Sequence, residues 1–221
     1  MQRLRIRYAK RGPARFTSHR DFGRAFERAL RRAGIPMAYS SGFNPHPRVS
    51  FANASPTGAA TEAEYLEIGL AERCDPGRLR TALDAALPPG LDVLTVVEAA
   101  GGSLTERLTG SRWRIEWAVA DPELLVAAVD NFLAADAVPV ERMTKHGLRT
   151  FDSRAAVVEL RTVAGGLGLV TRHLTPLVRP DDVLRGLAVR TSELVVPANV
   201  LLTRLEQGVL GEDGITDPLV P

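Results

Sequence analysis

The chain has 221 residues, 45% hydrophobic and 24% charged, which is enough for two domains of about 100 residues that each bury a core. No apolar run approaches the roughly 20 residues of a membrane helix, and the single cysteine, Cys74, excludes an intramolecular disulfide or a cysteine-held cluster. The net charge of +2 hides a segregation: residues 1–50 carry twelve Lys/Arg against Asp21 and Glu27, a balance of +10, and the other 171 residues balance at −8.

Charge gathered in this way steers anionic partners, whereas the plainer reading of the same residues is a solvated basic face. The opening Met1-Gln2-Arg3-Leu4-Arg5-Ile6-Arg7 has no continuous apolar stretch, so it is not a secretory signal, and a cytoplasmic location without a membrane partner is expected. Arg3 to Tyr8 alternate with period two. Leu4, Ile6 and Tyr8 share one face and Arg3, Arg5 and Arg7 the other, which predicts a half-buried strand with a basic outer face.

After the turn at Arg11-Gly12-Pro13, Ser18 is placed to cap a helix, with Asp21 three residues on. Phe22, Ala25, Phe26, Ala29, Leu30 and Ala33 recur at helical spacing, and Gly34 with Pro36 stops the helix. At 100° per residue the opposite arc holds Arg20, Arg24, Glu27, Arg28, Arg31 and Arg32. Met37 to Ala54 is a loop rich in Ser, Gly, Asn and Pro, ending in a short strand at Val49–Phe51. A strand over Thr61–Leu70, a helix over Pro76–Leu87 and a strand over Leu91–Val97 complete the order expected of a ferredoxin-like split βαβ unit, residues 1–100.

Residues 100–111 have the composition of a linker. The rhythm then repeats: strand Trp113–Val119, helix Pro122–Ala135, strands Val138–Met143, Ala155–Val163 and Leu167–Leu174, helix Pro180–Leu187 and strand Asn199–Leu205. The fold class expected is therefore α+β, two ferredoxin-like split βαβ units in tandem, with the second over residues 111–206 and a loose acidic tail over 207–221.

Arg24, Arg28, Arg31 and Arg32 suit phosphate, because a guanidinium offers forked donors to phosphate oxygens; Arg48, Arg5 and Arg7 could extend the patch. Such contacts supply affinity and salt dependence without sequence choice. Tyr39 and Phe43 offer rings on which an unpaired base can stack, unless they seal the core, and Asn44 offers an amide for a base edge or ribose hydroxyl. His46, with proline on both sides, and His19, at the helix start, are the two candidates for an acid–base pair in metal-independent RNA cleavage. Nothing in the sequence brings them together.

His146 and His173 have no ligand-spaced partners, so no metal or cofactor is expected. Glu62, Glu64 and Glu67 read as a solvated face, Gly165-Gly166-Leu167-Gly168 as a turn between strands, and Asp152 with Arg154 as an exposed polar pair.

Ser18-His19, Asp21, Arg24, the run Phe26 to Gly34, Ala38-Tyr39-Ser40 and Gly42-Phe43-Asn44-Pro45-His46-Pro47 together resemble the radical-SAM-associated family of unknown function, the DUF2344 type. The likeness spans Arg3 to Leu70 and departs at Arg20 and in Asn53-Ala54-Ser55-Pro56-Thr57. It implies an accessory role beside a radical SAM enzyme, whose cluster this chain cannot hold because it lacks a three-cysteine motif. Three functions are thus expected in order: an RNA-binding accessory protein that presents tRNA or rRNA to a modifying or processing enzyme, a radical SAM enzyme or a ribonuclease among them; an RNA-cleaving or RNA-modifying enzyme using His19 and His46; and a protein-interaction subunit whose basic surface docks an acidic partner such as a radical SAM enzyme, without RNA contact.

Overall fold

A computed structural model describes residues 1–144 and 147–220. The chain forms two compact units, Met1–Leu108 together with the residues from Thr216 onward, and Thr109–Ile215. The class is α+β, with four α-helices and antiparallel sheet among the described residues. Among the described residues no helix is long and apolar enough to cross a membrane.

In the first unit β1 (Gln2–Lys10), α1 (His19–Arg32), β2 (Val49–Ala52), β3 (Ala60–Leu70), α2 (Pro76–Ala86) and β4 (Leu91–Glu98) follow in that order. The strands pair antiparallel as β4-β1-β3-β2. Register makes Leu4 face Ile68 and Ile6 face Leu66, so the apolar half of the alternation in β1 falls beside that of β3. Both helices cover this face: Phe22, Phe26 and Leu30 of α1 and Leu79 and Leu83 of α2 are buried against it. Tyr8 stacks on Phe22 with ring centres 4.4 Å apart. At about 1.5–3 kcal/mol for each large apolar side chain, this burial is what fixes α1 to the sheet.

The other face corrects the expectation of a basic solvated surface. Ala63 and Tyr65 are covered there by Leu104, Leu108 and Leu219, so the stretch expected to be a linker packs on the sheet. Arg5 is 1% exposed, its guanidinium donating to Glu67 and to the carbonyls of Ala100, Gly101 and Gly102. Arg3 also pairs with Glu67, Arg11 with Glu62 and Asp92, and Arg7 with Asp217. Arg5 and Arg7 are therefore not extensions of an open patch. The glutamates are not a solvated face either: Glu62 and Glu67 are ion-pair partners, and buried Glu64 accepts from the Ser55 amide. Paired carboxylates satisfy guanidiniums that would otherwise be costly to bury.

The second unit runs β5 (Gly110–Glu116), α3 (Pro122–Leu133), β6 (Pro139–Thr144), β7 (Gly147–Asp152), β8 (Val157–Val163), β9 (Gly166–Arg172), α4 (Pro180–Arg190) and β10 (Leu201–Gly211). Its strand order is β10-β5-β9-β8, all antiparallel, while β6 and β7 form a separate hairpin. The residues expected to form a loose tail are structured otherwise: β10 runs on to Gly211, and β11 (Gly214–Thr216) pairs with it. Asp152 and Arg154 are half-buried braces, since Asp152 accepts from the amides of Val138 and Arg154, and Arg154 donates to the carbonyls of Leu133 and Val157. Gly166 is required by contact: a Cβ there would lie 1.9 Å from the Ile115 carbonyl oxygen.

Candidate polyanion-binding site

The helix that carries the candidate arginines is built by ordinary helix chemistry. The Ser18 side chain accepts from the Asp21 amide at 3.2 Å and donates to the Asp21 carboxylate at 2.7 Å, a cap worth about 1 kcal/mol. Because Phe22, Phe26, Ala29 and Leu30 hold the opposite arc in the core, Arg20, Arg24, Arg28, Arg31 and Arg32 are all exposed. Four of them repeat at i+4, so Arg20, Arg24, Arg28 and Arg32 form a ladder with rungs about 6 Å apart along the helix.

Few acids answer this ladder. Arg31 lies 3.8 Å from the Glu27 carboxylate and donates to the Glu27 carbonyl, and Arg32 donates to the carbonyl of Ala86 at the end of α2. Arg20, Arg24 and Arg28 have no hydrogen bond or ion pair among the described residues. The positive charge of residues 1–50 thus includes one set of arginines committed to the back of the sheet and another facing water on α1. Sequence spacing located the second set but could not identify the first.

Residues 38–48 form a tight hairpin ahead of β2. Tyr39 bridges Pro47, the Ser40 amide donates to the His46 carbonyl at 2.9 Å, and the Arg48 amide donates to the Ala38 carbonyl at 2.9 Å. The Ser40 hydroxyl accepts from the His46 amide at 3.1 Å and lies 3.0 Å from Nδ1 of the ring. With the hydroxyl hydrogen given to Nδ1, neutral His46 carries its proton on Nε2. Phe43 and Asn44 sit at the exposed tip, and Tyr39 is half exposed, so neither ring seals the core.

His19 lies elsewhere in the unit. Its ring meets Phe51 edge-on at 4.8 Å, on the face of the sheet covered by α1. No hydrogen bond or ring contact joins His19 to His46 among the described residues. His173 is in the second unit, its Nε2 2.8 Å from the Ser111 hydroxyl, and His146 lies outside the described residues. Among the described residues no three His, Cys, Asp or Glu side chains gather as a metal site.

One feature was not read from the sequence. A cleft of about 480 Å³ opens at the base of the hairpin, lined by Met1, Arg3, Arg48, Ser50, Glu67 and Gly69 among others. The Arg48 stem lies across Gly69, where a Cβ would come within 3.2 Å of the Arg48 Cβ, and its Nε donates to the Tyr39 carbonyl at 3.2 Å. By strand alternation Gly69 and Glu67 face away from α1, so Arg48 and the arginine ladder occupy opposite faces of the sheet. The signal for this cleft was a lone glycine in an otherwise β-favouring run, which acquires meaning only once Arg48 is placed over it.

A family model described as "Uncharacterized protein conserved in bacteria (DUF2344)" matches residues 3–182. No curated protein matches the chain. A crystal structure of an unknown protein from Galdieria sulphuraria is similar at 16% identity and a TM-score of 0.29, covering 94% of this chain and 99% of that one.

Proposed function

We propose that this chain, which belongs to the uncharacterized bacterial DUF2344 family, is a cytoplasmic RNA-binding accessory protein that presents tRNA or rRNA to a modifying or processing enzyme. A radical SAM enzyme or a ribonuclease is the class of partner this reading implies. The observation that carries it is the exposed arginine ladder of α1, whose rungs at Arg20, Arg24 and Arg28 have no acidic partner among the described residues. A structural helix face is ordinarily laced with both signs of charge, and a single-sign ladder is a suitable surface for a phosphate backbone.

We read each unit as a ferredoxin-like split βαβ domain. Strand orders β4-β1-β3-β2 and β10-β5-β9-β8, each with two helices in the connections, support that reading, the second with a hairpin inserted before β8. The fold alone does not argue function, so the proposal rests on the helix surface.

The test is binding of labelled tRNA across about 50–200 mM salt, where three to four phosphate contacts give a slope of log affinity against log salt of roughly −2 to −4. Replacing Arg20, Arg24 and Arg28 together with alanine is expected to flatten that slope by about 2 to 3. Absence of RNA affinity at the lowest salt, or an unchanged slope in the triple variant, would overturn the proposal. Cleavage of the bound RNA in chelator that His19→Ala or His46→Ala abolishes would instead make the chain a nuclease.

A further inference from the structure

Phe43 is an expensive residue to leave in water. It is 106% exposed, more than any other large hydrophobic side chain among the described residues. The hairpin beneath it is not slack: the Tyr39–Pro47 bridge, three hydrogen bonds between Ser40 and His46, and proline on both sides of His46 hold it. A ring carried on a braced hairpin leaves less backbone entropy to be lost on binding. Around it stand Ser41, Gly42, Asn44, Pro45 and His46, which are small or polar. An apolar protein partner would be expected to meet a broader hydrophobic patch with a water-excluding rim.

The charge nearby names the chemistry that fits. From Arg28 to Thr61 the chain contains no Asp or Glu, and Glu67, the carboxylate that lines the cleft, is paired with Arg3 and Arg5. Arg48 donates from Nε to the Tyr39 carbonyl, and its two terminal nitrogens have no partner among the described residues, while its stem is fixed over Gly69 at the cleft. A braced ring, an amide at Asn44 and an anchored guanidinium within five residues of the ring match a base, a base edge and a phosphate. Five residues of chain span at most about 17 Å.

We propose that the hairpin and the cleft at its base are a second RNA subsite that takes unpaired nucleotides, with one base stacked on Phe43 and a neighbouring phosphate on Arg48. This rests on the RNA-binding reading and adds to it that the RNA engaged here is single-stranded, because a base inside a duplex has no free face to offer. The subsite lies across the sheet from the α1 ladder, so the two contribute separately.

The experiment compares a labelled 12-nucleotide single strand carrying 2-aminopurine with a fully paired duplex of the same length. Phe43→Ala is expected to weaken the single strand by roughly 5- to 150-fold, leave duplex affinity and the salt slope unchanged, and abolish the 2-aminopurine stacking signal; Phe43→Trp restores both. Arg48→Gln should lower the single-strand salt slope by about 1. If Phe43→Ala binds the single strand like the parent while the Arg20/Arg24/Arg28 triple variant remains weak, the hairpin subsite is refuted and the arginine ladder stands. If the parent protein binds neither oligonucleotide nor tRNA, both proposals fall.

Discussion

Replacing Arg5 with methionine separates a structural arginine from the binding ones. The guanidinium is lost, with its bonds to Glu67 at 3.2 Å and to the carbonyls of Ala100, Gly101 and Gly102 at 2.8, 2.9 and 2.6 Å. Methionine roughly replaces the stem, so the cavity term is small. Glu67 retains Arg3 at 3.1 Å, and the three carbonyls belong to exposed residues that water can reach, so few groups are orphaned. Breaking a buried ion pair typically costs 3–5 kcal/mol, and the retained partners place this loss near the lower end, about 3 kcal/mol. All three tyrosines, Tyr8, Tyr39 and Tyr65, lie in the first unit and both tryptophans, Trp113 and Trp117, in the second. Urea unfolding followed by tyrosine near-ultraviolet dichroism should therefore show the first unit's midpoint fall by about 1–2 M. The RNA salt slope should not change. A loss below about 1 kcal/mol, or a slope that drops as it does in the α1 variant, would refute the division of the arginines into two sets.

Gly166→Ala puts a methyl 1.9 Å from the Ile115 carbonyl at a residue with φ of +153°, and it should destabilise the second unit by at least about 2 kcal/mol; an unshifted midpoint in tryptophan emission would contradict this. The Glu98 carboxyl is held below the ordinary glutamate range, chiefly by the hydrogen bond from Gln2 at 2.8 Å and then by Arg73. Its contribution to stability is accordingly complete above its unfolded value and is lost as pH falls through the lower folded value. Gln2→Ala should raise the Glu98 titration midpoint seen by carbon-detected NMR, and an unmoved midpoint would remove Gln2 as the main cause.

What could be read from the sequence was local. The alternation of Leu4, Ile6 and Tyr8 and the arc of Phe22, Phe26 and Leu30 are intrinsic to strand and helix geometry, and the structure buries those side chains. Ser18 caps as its spacing indicates, because the cap involves only its own turn. The fate of the first arginines was not local: Arg5 and Arg11 meet carboxylates 62 and 51 residues away, which no periodicity announces. Strand β7 is not legible in the sequence, because only Phe151 in it is buried and almost no alternation results. Tyr39 and Phe43 were undecidable in sequence, since a loop ring packs or protrudes according to tertiary neighbours. Arg48 is legible as a cation beside the loop, but its position over Gly69 depends on the pairing of β2 with β3.

The first unit is discontinuous in sequence, and this bears on its synthesis. Leu219 covers the same face as Leu104 and Leu108, Asp217 pairs with Arg7, and the Arg107 guanidinium donates to the Val220 carbonyl. A ribosome making this chain exposes Tyr65, Leu104 and Leu108 long before it delivers the side chains that finish covering them. The intervening unit, Thr109–Ile215, is by contrast one uninterrupted stretch that can complete its own contacts first. During translation the order of completion therefore reverses the order of appearance: the half that emerges first closes last.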